Sequence, residues 1–228
     1  MGGYSPAKLQ RYQDLIDHYL TGEINGIYKA LGDAETLDDV ASYMADNTPV
    51  LNALNTRYLI VDDKYPPVEN YAALGPAWFV DSVVPAATPD EEIALIGQVD
   101  LRTTAVVDAR SVSGVTSTVP GGTIEMTSYT PNEVRYRYST PQDRVAVFSE
   151  VFYPNGWTAT VDGQPLTIFR ADWTLRGALL PAGDHEVVMR FAPQSYKTGA
   201  TVSLIASLLL LLMLAAAIGL GIFRKKGE

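Results

Sequence analysis

Hydrophobic and polar positions change their spacing along the chain, and each change marks a different kind of element. From residue 4 to 46 apolar side chains recur at helical intervals, through Leu9, Tyr12, Ile16 and Tyr19 or Leu20. Gly22, Gly26 and Gly32 are expected to break this region into short pieces. Thr36 ahead of Asp38 and Asp39 marks a second helix start, running to about Met44. Val50 to Leu54 reads as a short apolar turn. Tyr58-Leu-Ile-Val61 then reads as a strand closed by Asp62-Asp63, and Ala77–Val80 and Ser82–Val84 read as two more. Pro89–Leu95 predicts a short helix. Its first-turn acids, Asp90, Glu91 and Glu92, suit the positive end of a helix dipole better than a metal.

From Thr103 the period shortens to two, as in Val134-Arg-Tyr-Arg-Tyr138 and Glu186-Val-Val-Met-Arg-Phe191. The predicted strands are Ala105–Val107, Thr123–Tyr129, Glu133–Ser139, Arg144–Phe152, Thr158–Val161, Gln164–Arg170, Leu175–Leu180 and His185–Phe191. Pro120-Gly-Gly122, Pro131-Asn132, Pro154-Asn-Gly156 and Pro181-Ala-Gly183 punctuate them, and Asp162-Gly163 is a two-residue hairpin signal. Many short strands with regular turns predict an antiparallel β-sandwich. The expected fold class is α+β. A mixed helical and strand region covers 1–100, the sandwich 101–194 and a juxtamembrane link 195–202.

Ser203 to Phe223 is uncharged and apolar on every side. A helix needs about 20 such residues to cross a bilayer core of about 30 Å, and one with no polar stripe is not a surface helix. The expected partner of this segment is the lipid bilayer. Arg224-Lys-Lys226 follows at once and, by the positive-inside rule, places the tail in the cytoplasm and the preceding domain outside. Arg190 and Lys197 at the other end weaken the bias, so a cytosolic domain on a tail anchor is the rival topology. Met1–Pro6 has neither the basic nor the apolar part of a signal peptide. An external domain is therefore expected to be the C-terminal piece of a larger multi-pass protein.

Net charge is −9 over 228 residues. The four Lys/Arg and one Glu beyond Pro193 leave a more acidic body before it. Such a body is a poor partner for nucleic acid. Cysteine is absent, which excludes disulfides, thiol catalysis and Cys-based zinc sites. No cofactor or metal motif is present, and no catalytic constellation.

Several blocks occur in a defined order. They are Gly2-Gly-Tyr4, Lys8-Leu-Gln-Arg-Tyr-Gln-Asp-Leu-Ile16, Leu51-Asn-Ala-Leu-Asn-Thr-Arg-Tyr58, Leu74-Gly-Pro-Ala-Trp-Phe-Val80, Tyr153-Pro-Asn-Gly-Trp157, Val161-Asp-Gly163, Arg176-Gly177, Leu180-Pro-Ala-Gly183 and Tyr196-Lys-Thr-Gly199. The set resembles the C-terminal part of YfhO-type bacterial membrane proteins. That resemblance implies a parent that looks like a multi-pass glycosyltransferase of the GT-C class, using a polyprenyl-phosphate sugar donor on cell-envelope polymers. The catalytic acid of that class lies in an early loop, so this chain would be a non-catalytic extracytoplasmic module with the last span. Its partners would be an envelope glycan or the upstream transmembrane domain. The alternative is a membrane-anchored glycan- or protein-binding sandwich with no transferase activity.

Tyr153, Trp157, Arg170, Trp173 and Arg176 are the candidate glycan-binding residues, because aromatic faces flanked by polar groups can stack on sugar rings. The competing role for the two indoles is to fill the sandwich core or cover its end. His18, with Asp14 and Asp17 nearby, offers a His–carboxylate pair but no nucleophile, and reads as a surface or interdomain histidine. His185 is expected to shape the turn before it and Asp162 to open a hairpin turn. Glu150, inside an apolar strand, needs a partner, expected among Arg135, Arg137 and Arg144. Trp78 and Phe79 should face opposite sides, one of them exposed.

Overall fold

The computed structural model describes residues 9–62, 64, 66–111 and 120–226. The expected start of the first helix at residue 4, the Gly2–Tyr4 block and Asp63 lie outside these residues. Helix α1 (Gln10–Leu15) passes through a π-helical turn (Ile16–Leu20) into α2 (Thr21–Asp33) without a break. The glycines therefore do not divide the region. Leu15, Leu20 and Ile27 are buried along it, and burial of this face outweighs the cost of about 1 kcal/mol per interior glycine. Gly26 has a packing reason, since a Cβ there would overlap the Tyr43 hydroxyl of the next helix.

Helix α3 (Leu37–Asn47) opens on a capping box in which the Thr36 hydroxyl accepts from Asp39 N–H and the Asp39 carboxylate accepts from Thr36 N–H. The expected apolar turn is a short helix, α4 (Pro49–Ala53). The Glu23 carboxylate accepts from the N–H groups of Val50 and Leu51, both at 2.9 Å. A small ribbon follows, of β1 (Tyr58–Leu59) and β2 (Val68–Glu69). Strand β1 stops short of Val61: it pairs with β2 only at Tyr58 and Leu59, and Ile60 and Val61 are left exposed.

Strands β3 (Ala77–Phe79), β4 (Ser82–Ala86) and β5 (Thr104–Asp108) come next, with α5 (Pro89–Ile96) between the last two. The remaining strands are β6 (Thr123–Thr130), β7 (Glu133–Thr140), β8 (Arg144–Val151), β9 (Trp157–Val161), β10 (Gln164–Leu166), β11 (Ile168–Ala171), β12 (Leu175–Leu180) and β13 (Gly183–Phe191). They form a five-stranded sheet in the order β10-β9-β13-β7-β6 and a six-stranded sheet in the order β3-β8-β12-β11-β5-β4. All pairs in the two sheets are antiparallel except β4 with β5, which α5 joins as a parallel crossover.

The two sheets face each other over a core that includes Tyr136, Tyr138, Phe148, Leu180, Val187 and Met189. The helices cover the other face of the six-stranded sheet, over a second core that includes Leu15, Met44, Ile96, Val106, Val147 and Trp173. The sandwich thus carries a third, helical layer. Alternation along β8 follows from this: Ala146 and Phe148 enter the first core, Val145 and Val147 the second.

Two expectations need correcting. The strand predicted over Gln164–Arg170 is two strands in different sheets, parted at Thr167. Strand β10 is held to β9 by the Asp162-Gly163 turn, where both φ values are positive. Strand β11 is instead drawn to β12, and the chain turns a corner between sheets. Trp78 and Phe79 do face opposite sides, but both sides are covered. Trp78 donates to Leu101 O and Phe79 packs edge-on to Tyr138. The six-stranded sheet also draws β3 and β4 from before residue 100, so residues on both sides of that point share one sheet.

Helix α6 (Gln194–Lys226) begins two residues after β13. Residues 195–202 are thus helical and continuous with the apolar run. Gln194–Ala217 is long and apolar enough to cross a membrane, and none of it is buried against the rest of the chain. One such helix is found among the described residues.

Two glycines make opposite predictions. Gly177 faces Phe169 across β12–β11, where an added Cβ overlaps the ring. Gly177→Ala should cost about 1–3 kcal/mol. Gly22 has open space around it, so Gly22→Ala should stabilise by about 0.5–1 kcal/mol. Denaturant unfolding of the detergent-solubilised chain measures both.

Candidate functional site

A cavity of about 280 Å³ opens where the start of α1 meets the β8–β9 loop and the β11–β12 turn. Leu9, Arg11, Tyr153, Pro154, Arg170 and Trp173 are among its walls, which are mostly apolar. Tyr153, Arg170 and Trp173 are therefore brought together. Trp157 and Arg176 are not among its walls.

The β11–β12 turn builds one side. Asp172 and Trp173 both have left-handed backbones, with φ 47° and 69°. Each such non-glycine residue costs about 1–3 kcal/mol and persists only where the surroundings fix it. Here the Asp172 N–H donates to Val106 O and the Asp172 carboxylate accepts from Val106 N–H, each at 2.8 Å. The Trp173 indole is buried and donates from Nε1 to Arg11 O at 2.7 Å. The Arg11 guanidinium lies 3.8 Å from the centre of that ring, a cation–π contact.

Glu92 sits behind the wall, buried in α5. It accepts from Arg11 at 3.1 Å and from Arg170 at 3.4 Å. A buried carboxylate is tolerated where it is paired, and here one acid holds both arginines of the cavity in place. The available signal was positional: Glu92 and Ile96 are one helical turn apart on the buried side of α5. The dipole reading of the first-turn acids misses this. Glu91 has the local role expected there, accepting from Ala87 N–H, while Thr88 caps the helix.

Asp172 is fully buried, and burial pushes its carboxyl up to about 7, aided by the nearby Glu92 charge. One carboxylate oxygen has no partner, an environment that favours the neutral acid.

Trp157 and Arg176 form a separate cluster. The Arg176 guanidinium stacks 3.9 Å from the centre of the Trp157 ring. It is buried, donates from Nε to Val151 O at 3.2 Å and lies 3.9 Å from Glu150. Glu150 thus takes Arg176, not the three arginines expected. Arg144 pairs with Asp81, and Arg135 with Glu133 and Glu186. Register explains this, since Arg176 and Phe148 pair next to the bulge that brings β12 beside the end of β8.

At the far end of the five-stranded sheet a polar cleft of about 340 Å³ holds His185 and Asp162. His185 Nδ1 is 2.6 Å from the Asp162 carboxylate and Nε2 is 3.0 Å from Ala182 O. Both ring nitrogens face acceptors, so the imidazolium is favoured and its pKa is raised, first by Asp162. Gly183 permits this, since a Cβ there would lie 2.6 Å from Nε2. Among the described residues His18 makes no carboxylate pair. Its Nδ1 meets the Asp14 backbone carbonyl, while Asp14 and Asp17 accept from Gln10 and Gln13.

The sheets, the cavity and one free-standing helix long and apolar enough to cross a membrane together define a sandwich module with a candidate membrane span. Residues 99–203 match the family of bacterial membrane protein YfhO, and this stretch, from just before β5 into α6, is a YfhO-family region. No curated protein and no solved structure matches the chain.

Two predictions follow from the buried charges. Glu92→Ala should cost about 3 kcal/mol, since it strands two arginines; the unfolding midpoint reads this. Asp172 has a folded pKa above its unfolded value, so the native state binds the extra proton. Stability should therefore fall as pH rises from the unfolded pKa, near 4, to about 7. Asp172→Asn should flatten that window. The His185 contribution is complete below about 6.5 and is lost only above it, so the windows are separable.

Proposed function

We propose that this chain is the non-catalytic, extracytoplasmic C-terminal module of a multi-pass, glycosyltransferase-like membrane protein, and that its cavity holds the acceptor glycan beside the bilayer. The sugar donor in this reading is a polyprenyl phosphate handled by the parent's membrane domain. One observation carries the proposal: Tyr153, Arg170 and Trp173 wall one cavity at the end of the domain from which α6 departs. The phenol face, the apolar lining and a fixed guanidinium suit a sugar, whose ring has apolar faces and hydroxyl edges.

The side of the membrane is inferred from charge. Arg224-Lys-Lys226 follows the apolar run, and the acidic body precedes it.

The test is envelope sugar transfer by the full protein, with and without this module, and with Tyr153→Ala and Arg170→Ala. Loss of one stacking face should weaken acceptor use roughly threefold to tenfold and leave donor use unchanged. Unchanged transfer and acceptor choice after removal of the module would sink the proposal. Retained glycan binding by a chain without transferase activity would favour the alternative of an anchored binding module.

A further inference from the structure

The root of α6 is fastened to two loops. Phe191 N–H donates to Asn132 O of the β6–β7 turn at 2.9 Å, and Ala192 N–H to Gly156 O of the β8–β9 loop at 2.7 Å. Gly156 has a positive φ, and a Cβ on it would come within 2.9 Å of both the Phe191 ring and Pro193. The helix therefore leaves a fixed point on the sheet end, with no loose linker. Gln194 lies six helical steps before Ala200, from which the chain is uncharged as far as Phe223. At 1.5 Å per residue they span about 9 Å, and the interfacial layer on each side of a bilayer is about 5–8 Å thick. This spacing brings the root of α6, and the two loops fastened to it, to the outer edge of the head-group layer when α6 crosses the membrane.

The residues at that end have the composition of an interface. Tyr129, Tyr153 and Tyr196 are 59%, 41% and 76% exposed. Amphipathic aromatic rings are enriched where one end meets hydrocarbon and the other water. Glu133 is the one acid among residues 129–133, 151–157 and 190–202, against Arg190 and Lys197, and it is clamped by Arg135 and Arg190. The opposite end, about 27 Å away along β13 at strand rise, carries Asp143, Asp162 and Asp184 at its turns. The two acids nearest the anchor, Glu133 and Glu150, each face an arginine, Glu150 at 3.9 Å from Arg176.

We propose that the β6–β7 turn and the β8–β9 loop, with Tyr129, Tyr153 and Tyr196, form a contact face that rests in the phospholipid head-group layer of the membrane α6 crosses. This depends on α6 spanning the bilayer and not on the glycosyltransferase reading.

The absence of cysteine makes the test direct. The full chain is placed in phosphatidylcholine nanodiscs with a nitroxide on Asn132→Cys, Asn155→Cys or Gln142→Cys, the last in the turn at the opposite end. Nickel-chelating lipid then relaxes labels at head-group depth. Positions 132 and 155 should relax several-fold more than 142. The added changes Tyr129→Ser and Tyr196→Ser, both at exposed sites, should reduce that excess. Equal relaxation at all three positions would overturn the contact face. An excess untouched by the tyrosine changes would overturn the role given to those rings.

Discussion

Everything else in this fold depends on burying both faces of the six-stranded sheet. Strand β8 sends Ala146 and Phe148 toward the second sheet and Val145 and Val147 toward the helices. A strand covered on both sides has no place for an unpaired charge. This single constraint explains why the polar groups that do enter are so heavily tied. Arg144 reaches Val80 O and Asp81, Arg176 stacks on Trp157, and Glu92 takes two arginines. Asp172 escapes the cost by favouring its neutral form.

The same constraint places the cavity. The helical layer covers one face, the second sheet covers the other, and the space left lies at the sheet end where neither reaches fully. The start of α1 closes over it through Trp173 and Arg11. The side chains that shape this space are held from behind, so a ligand entering it would meet arginines and an indole already fixed in direction. Fixed groups lose less freedom on binding.

Local chemistry was legible in the sequence, and distant pairing was not. The Thr36 cap, the helix at Pro89 and the positive φ of Asp162-Gly163 each follow from a few adjacent residues. The apolar run of α6 was plain for the same reason. The break at Thr167 was hidden because apolar residues, Leu166 and Ile168, flank it directly, and only the partners on either side differ. The continuity of α1 through α2 was hidden because glycine spacing reports local cost and not what the helix buries. Of the candidate site, the residue types and the turns were visible. The separation into a cavity group and the Trp157–Arg176 stack was not, because it turns on which face of each strand is inward. The bond from Trp173 to Arg11 and the pairing of Glu92 with Arg11 and Arg170 link residues far apart in the chain, and no local pattern announces them.

The passage from β13 to α6 in two residues makes the sheet and the spanning helix mechanically one piece. A helix in a bilayer responds to thickness by tilting. A flexible linker would absorb that tilt. Here the rotation passes to the sheet, so a thicker or thinner membrane changes the angle at which the cavity mouth meets whatever lies along the surface. With α6 seated in a bilayer, the lipid composition around it would thereby become a setting on the orientation of the domain.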